Sequence, residues 1–95
     1  MTDAKVLEVL NAYRQSFETR GVAKRRSPPE TWASKQIDRL AHLHWMLDEI
    51  ESFLAAGRRE KAMRWLGFIQ GCLWADGLYT VAEMKEQNKP DQGTE

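Results

Sequence analysis

Long hydrophobic runs are missing from this 95-residue chain, as are a second cysteine, an excess of either charge and any period-two alternation of apolar and polar residues. No apolar stretch approaches the roughly 18 residues of a membrane span, and Met1-Thr2-Asp3-Ala4-Lys5 lacks the apolar segment of a secretory signal. A soluble, intracellular protein is expected. The single Cys72 cannot close an internal disulfide, and its apolar helical setting suits a small buried core residue rather than a nucleophile. Lys and Arg number 14 and so do Asp and Glu, and the zero formal charge argues against a protein that coats DNA or RNA. Without strand alternation, no β domain is expected.

What remains is a helical pattern rich in tryptophan. The length suits one domain, expected over residues 1–90 with a polar tail at 91–95. So small a domain keeps much of its surface wet, and Trp32, Trp45, Trp65 and Trp74 together exceed what one small core covers. The excess points to a subunit interface and hence to an oligomer.

The spacing of Val6, Leu10, Tyr13 and Phe17 predicts a first helix within 1–21, ended by Gly21. Ser27-Pro28-Pro29-Glu30 reads as a capping box with proline in the first turn, so a second helix is expected over 27–57, carrying Ile37, Leu40, Leu43, Leu47, Ile50 and Leu54 and stopped by Gly57. Ala62, Trp65, Leu66, Ile69 and Leu73 predict a third helix over 58–77. Gly67 and Gly71, four apart, form a smooth stripe on which another helix backbone could pack closely. Thr80-Val81-Ala82-Glu83 is a second capping box, opening a short helix over 80–88. The expected fold is all-α: an antiparallel hairpin packed with an N-terminal helix and a short C-terminal one.

No catalytic constellation emerges. There is no Gly-rich phosphate loop, no zinc spacing and no serine-centred elbow. His42 and His44 point about 200° apart on a helix, cannot chelate one metal together, and read as bonded to a core carbonyl or facing solvent. Asp48, Glu49 and Glu51 diverge around a helix and read as a solvated face. Two basic groups are left. Arg20, Lys24, Arg25 and Arg26 lie at the junction of the first two helices with no acid between them. Together with the amides at the start of the second helix, near Ser27, they make a candidate phosphate site, with Tyr13 offering a face to stack on a base. From charge alone, a solvated basic loop is the simpler reading. Arg58, Arg59, Lys61 and Arg64 form the second group, in which Arg64 neighbours Trp65.

Arg39-Leu40-Ala41-His42-Leu43-His44-Trp45-Met46-Leu47, with Arg59 to Gly71 and Gly77 to Lys85, resembles a hairpin shared by two groups of phage counter-defence proteins, the anti-CBASS and the anti-Thoeris sponges. The resemblance covers roughly residues 38–90, and its most specific element is Lys61-Ala62-Met63-Arg64-Trp65-Leu66-Gly67 with Gln70-Gly71. The absence of strands favours the helical anti-CBASS group. The resemblance implies a homohexamer that sequesters cyclic dinucleotides such as cyclic GMP-AMP without cleaving them, in the cytoplasm of an infected bacterium. Some relatives also hold cyclic trinucleotides in separate pockets. It further implies ligand-binding roles for Tyr13, Lys24, Arg25 and Arg26, with Ser27 as a hydroxyl or amide donor and Arg64 in the second kind of pocket. No cofactor or metal is expected, nor enzymatic activity, DNA, RNA or a membrane. The competing readings are a helical protein that inhibits a host protein through its tryptophan-rich face and, third, a nucleic-acid binder using Lys24 to Arg26.

Overall fold

In the computed structural model, which describes residues 1–90, the protein is all-α; the expected tail at 91–95 lies outside the described residues. α1 spans Asp3–Thr19, α2 Gln36–Ala55, α3 Arg59–Ala75 and α4 Val81–Asn88, and no strand occurs among the described residues. None of these helices is long and apolar enough to cross a membrane.

Each helix ends where local chemistry requires. The Thr2 side chain accepts from the Lys5 amide at 3.1 Å and opens α1, whose Val6, Leu10, Tyr13 and Phe17 all face the core. Gly21, at φ 71°, turns the chain so that the Val22 amide bonds Phe17 O at 2.9 Å, closing the C-terminus. Gly57, at φ 75°, does the same between α2 and α3, where the Arg58 amide reaches Phe53 O at 2.8 Å. Arg39, near the start of α2, meets Asp76 just beyond the end of α3, so these two helices run antiparallel. α2 lies between α1 and α3 and contributes Leu40, Leu43, Leu47 and Ile50 to the core. The capping box at Thr80 and Glu83 forms with both bonds at 3.0 Å, and α4 rests on α1 through Met84.

The second helix starts nine residues later than its expected beginning at Ser27, at Gln36. A residue that precedes proline is pushed out of the helical region, which affects both Ser27 and Pro28. The Thr31 amide and hydroxyl both turn back to Pro28 O, at 3.1 and 2.7 Å, closing a turn instead of propagating a helix. The Ser27 amide, which the reciprocal arm of a capping box would give to Glu30, donates to His42 Nδ1 instead. Residues 22–35 therefore form a connector across the flank of α2.

Three further expectations change. Gly67 and Gly71 are exposed, and a β-carbon added at either would meet nothing within 4 Å, so no helix of this protomer packs on the stripe. Ile37, at the second position of α2, is exposed despite its place in the apolar pattern. Cys72 is half-buried beside the core rather than within it.

Candidate functional site

The connector is stitched to α2 by two histidines and one backbone bond. His44 Nδ1 lies 3.1 Å from Val22 O and 3.3 Å from Ala23 O, so that nitrogen carries the hydrogen and donates. The Arg25 amide then bonds Ala41 O at 3.1 Å, and the Ser27 amide donates to His42 Nδ1 at 3.0 Å. The two rings are therefore held in opposite tautomers. Further along, Arg39 Nη1 donates to Ala33 O at 3.0 Å while its Nε and Nη2 grip Asp76. One arginine thus ties the connector to both helices of the hairpin.

A connector held this way forms one wall of a groove of about 570 Å³, whose opposite walls are α2 and α3. That volume falls in the range of small-molecule sites. Trp45 and Trp65 lie along its floor with ring centroids 6.2 Å apart, and His42 stacks obliquely on Trp45 at 5.3 Å. The Arg26 guanidinium sits 5.7 Å above the Trp45 ring, a cation–π contact. Arg64 stands on the α3 side, mostly exposed, with a loose 3.6 Å pairing to Glu60. The lining includes three arginines, of which only Arg39 is tightly paired, and no carboxylate. The groove thus combines aromatic and cationic side chains.

Electrostatics inside the groove follow from burial. Burial, and then the Arg26 charge, lower the His42 pKa from its ordinary 6.5, consistent with an unprotonated Nδ1 accepting from Ser27. Burial pushes the Cys72 thiol up, and Asp76 adds to that against the opposing pull of Arg39, so Cys72 stays a protonated thiol at neutral pH. Among the described residues no cluster of three or more His, Cys, Asp or Glu is placed to hold a metal ion.

The six candidates read from the sequence separate into two sets. Arg26, Ser27 and Arg64 share the groove. Lys24 and Arg25 lie outside its lining, Lys24 bonded to Asp48 and Arg25 to Asp38, each at 2.9 Å. The acids absent from the local sequence are supplied by α2. Tyr13 offers no face for stacking in this protomer. Its ring is fully buried against Tyr79 at 5.4 Å, and its hydroxyl donates to Gln87 and accepts from Gln70. Burial raises its pKa, the Gln70 bond opposes this, and Tyr79 adds a further upward push. Conversely, His42, Trp45 and Trp65 enter the site unforeseen.

Trp32, Ile37, Phe68, Trp74 and Val81 are at least half exposed, Trp32 at 94%; Phe68 lines the groove and the other four lie outside it. All but Phe68 lie at or near the start of α2 or the end of α3, the two segments that Arg39 and Asp76 bring together.

No protein-family model, curated protein or solved structure matches the chain.

Proposed function

We propose that this protein is a non-catalytic sponge that binds and sequesters cyclic di- and trinucleotide immune signals, such as cyclic GMP-AMP, in the role of a phage counter-defence protein acting in the host cytoplasm. The observation that carries the reading is the groove in which Arg26 and Arg64 flank Trp45 and Trp65 with no carboxylate in the lining. A cyclic oligonucleotide presents phosphodiester anions and flat bases in alternation. Guanidinium groups bind phosphate oxygens through charge-assisted bonds, and indole faces accept bases. A carboxylate would repel the phosphates, and a strong base there would invite turnover that a sponge has no use for. The resemblance noted in the sequence adds the ligand class and a homohexameric assembly.

An oligomer also accounts for the exposed Phe68 and Trp74 beside the unpacked Gly67 and Gly71 stripe, which a second protomer would cover. In such an assembly Lys24 and Arg25 would meet a ligand with their charges already partly neutralised by Asp48 and Asp38.

Calorimetric titration with a panel of cyclic di- and trinucleotides tests the reading, followed by heat release and chromatography of the ligand. Tight binding with intact ligand, weakened at least tenfold by Arg26→Ala or Arg64→Ala, supports it. No heat with any member of the panel overturns it. The exposed Trp32 and Ile37 favour a second reading, inhibition of a host protein, which a stable complex from host lysate free of nucleotide would support.

A further inference from the structure

The Ser27 amide donates to His42 Nδ1 at 3.0 Å, and an N–H cannot donate to a nitrogen that already carries a hydrogen. The remaining hydrogen of the ring must therefore sit on Nε2. That nitrogen has no hydrogen-bond partner among the described residues, yet it is not sealed off, since the one buried side-chain polar atom without a partner is His44 Nε2. His42 lines the groove between Arg26 and Trp45, near which the only titratable groups in the lining are Arg26 on the connector, Arg39 on α2, and Arg64 and Cys72 on α3. None of these is an acceptor strong enough to claim the Nε2 hydrogen in a cationic groove.

We infer that His42 is a recognition residue of the groove, its Nε2–H locked outward by the Ser27 amide so that it donates to a phosphate oxygen of an anionic ligand held by Arg26 and Arg64. The inference rests on the sequestration reading for its ligand but not for its tautomer. The physical advantage is preorganisation. A free imidazole divides its time between two tautomers and several rotamers, whereas this ring is fixed at one nitrogen by backbone and at one face by Trp45, so its donor needs no reordering when ligand arrives. The other histidine shows the contrast: His44 Nδ1 carries its hydrogen to the Val22 and Ala23 carbonyls, holding the connector in place without facing a ligand. The connector is thus both positioned by one histidine and used by it to aim the other.

Two substitutions separate the two nitrogens. His42→Asn keeps an acceptor close to the Nδ1 position and removes the Nε2 donor; His42→Gln places an amide near Nε2 and withdraws the acceptor from Ser27. The full chain, labelled with nitrogen-15, is first examined by long-range proton–nitrogen NMR. The Nε2–H tautomer of His42 in the free protein is expected, and an Nδ1–H tautomer overturns the inference whatever the protein binds. Cyclic GMP-AMP is then titrated. A shift of His42 Nε2 on binding, and about a tenfold weaker affinity for His42→Asn with Ser27 amide protection retained, support it. Wild-type affinity in His42→Asn overturns it, while loss of Ser27 protection in His42→Gln reports the clasp independently. If no cyclic nucleotide binds the wild-type protein, the sequestration reading falls, and inorganic pyrophosphate becomes the probe: a shift at His42 Nε2 supports the donor, and no shift overturns it.

Discussion

The Tyr13 hydroxyl joins the first helix to the last, donating to Gln87 Oε1 at 2.7 Å while it accepts from Gln70 Nε2 at 3.1 Å. Gln70 in turn exchanges two bonds with Asn88, at 2.7 and 3.1 Å. α4 buries only Met84, so this uncharged network, with the Met84 contact, is what docks it.

Tyr13→Phe therefore acts on stability and not on ligand. The ring keeps its packing, the two glutamine amides lose one partner, and the expected cost is about 1 kcal/mol, or a fall of about 4–8 °C in the thermal midpoint. Affinity for cyclic nucleotides should stay unchanged, as measured by calorimetry. A loss of affinity at full stability would return Tyr13 to the binding site.

Gly67→Ala and Gly71→Ala should each stabilise the isolated protomer by about 0.5–1 kcal/mol, because both lie on an exposed helix face with space for a methyl group. If a second copy packs on that stripe, the same substitutions disperse the oligomer. Sedimentation and denaturant titration across protein concentrations read the two effects separately.

Asp48 sets an acid limit. Burial would raise its carboxyl, but hydrogen bonds from Lys24 and Arg14, reinforced by their charges, outweigh it and hold the pKa below the ordinary 3.8. The native state then binds protons less readily than the unfolded chain, so the stability from this cluster is present above 3.8 and lost as pH falls through the lower native value. Chemical denaturation in that range should show a shallower pH slope for Asp48→Asn than for the wild type.

His42 acts in the same direction at milder acidity. Its pKa is lowered from 6.5, by burial first and by Arg26 second, so stability is complete above 6.5 and declines as pH falls toward the native value. Amide exchange at Ser27, corrected for its intrinsic rate, should accelerate as pH falls through the lowered native value, where protonation removes its acceptor. Unchanged protection would mean that Ser27 is held by something other than His42.

Thr80→Ala removes one half of the last capping box and should cost about 1 kcal/mol, confined to α4. Hydrogen exchange should quicken from Val81 to Asn88 and leave α2 as it was; a global loss of protection would show that α4 unfolds only with the core.

The helices and their faces are legible in the residues alone, because they depend on periodicity and on local stops. Val6, Leu10, Tyr13 and Phe17 are all in the core, and the chain turns out of α-helix at Gly21 and Gly57 as their positions required. The same local logic failed at Ser27-Pro28-Pro29-Glu30, where a pattern that resembles a helix start meets two proline restrictions and a distant histidine that takes the Ser27 amide from Glu30. Which side chains share the groove depends instead on how the helices pack. Arg26 and Ser27 are separated from Arg64 by more than a helix length of chain, and the charges that look free in the basic run are divided by what α2 brings near: Asp48 for Lys24, Asp38 for Arg25, and for Arg26 only the face of Trp45. A sequence fixes how a segment curls from the residues within it, whereas a site is made by the long-range packing that brings separate segments together.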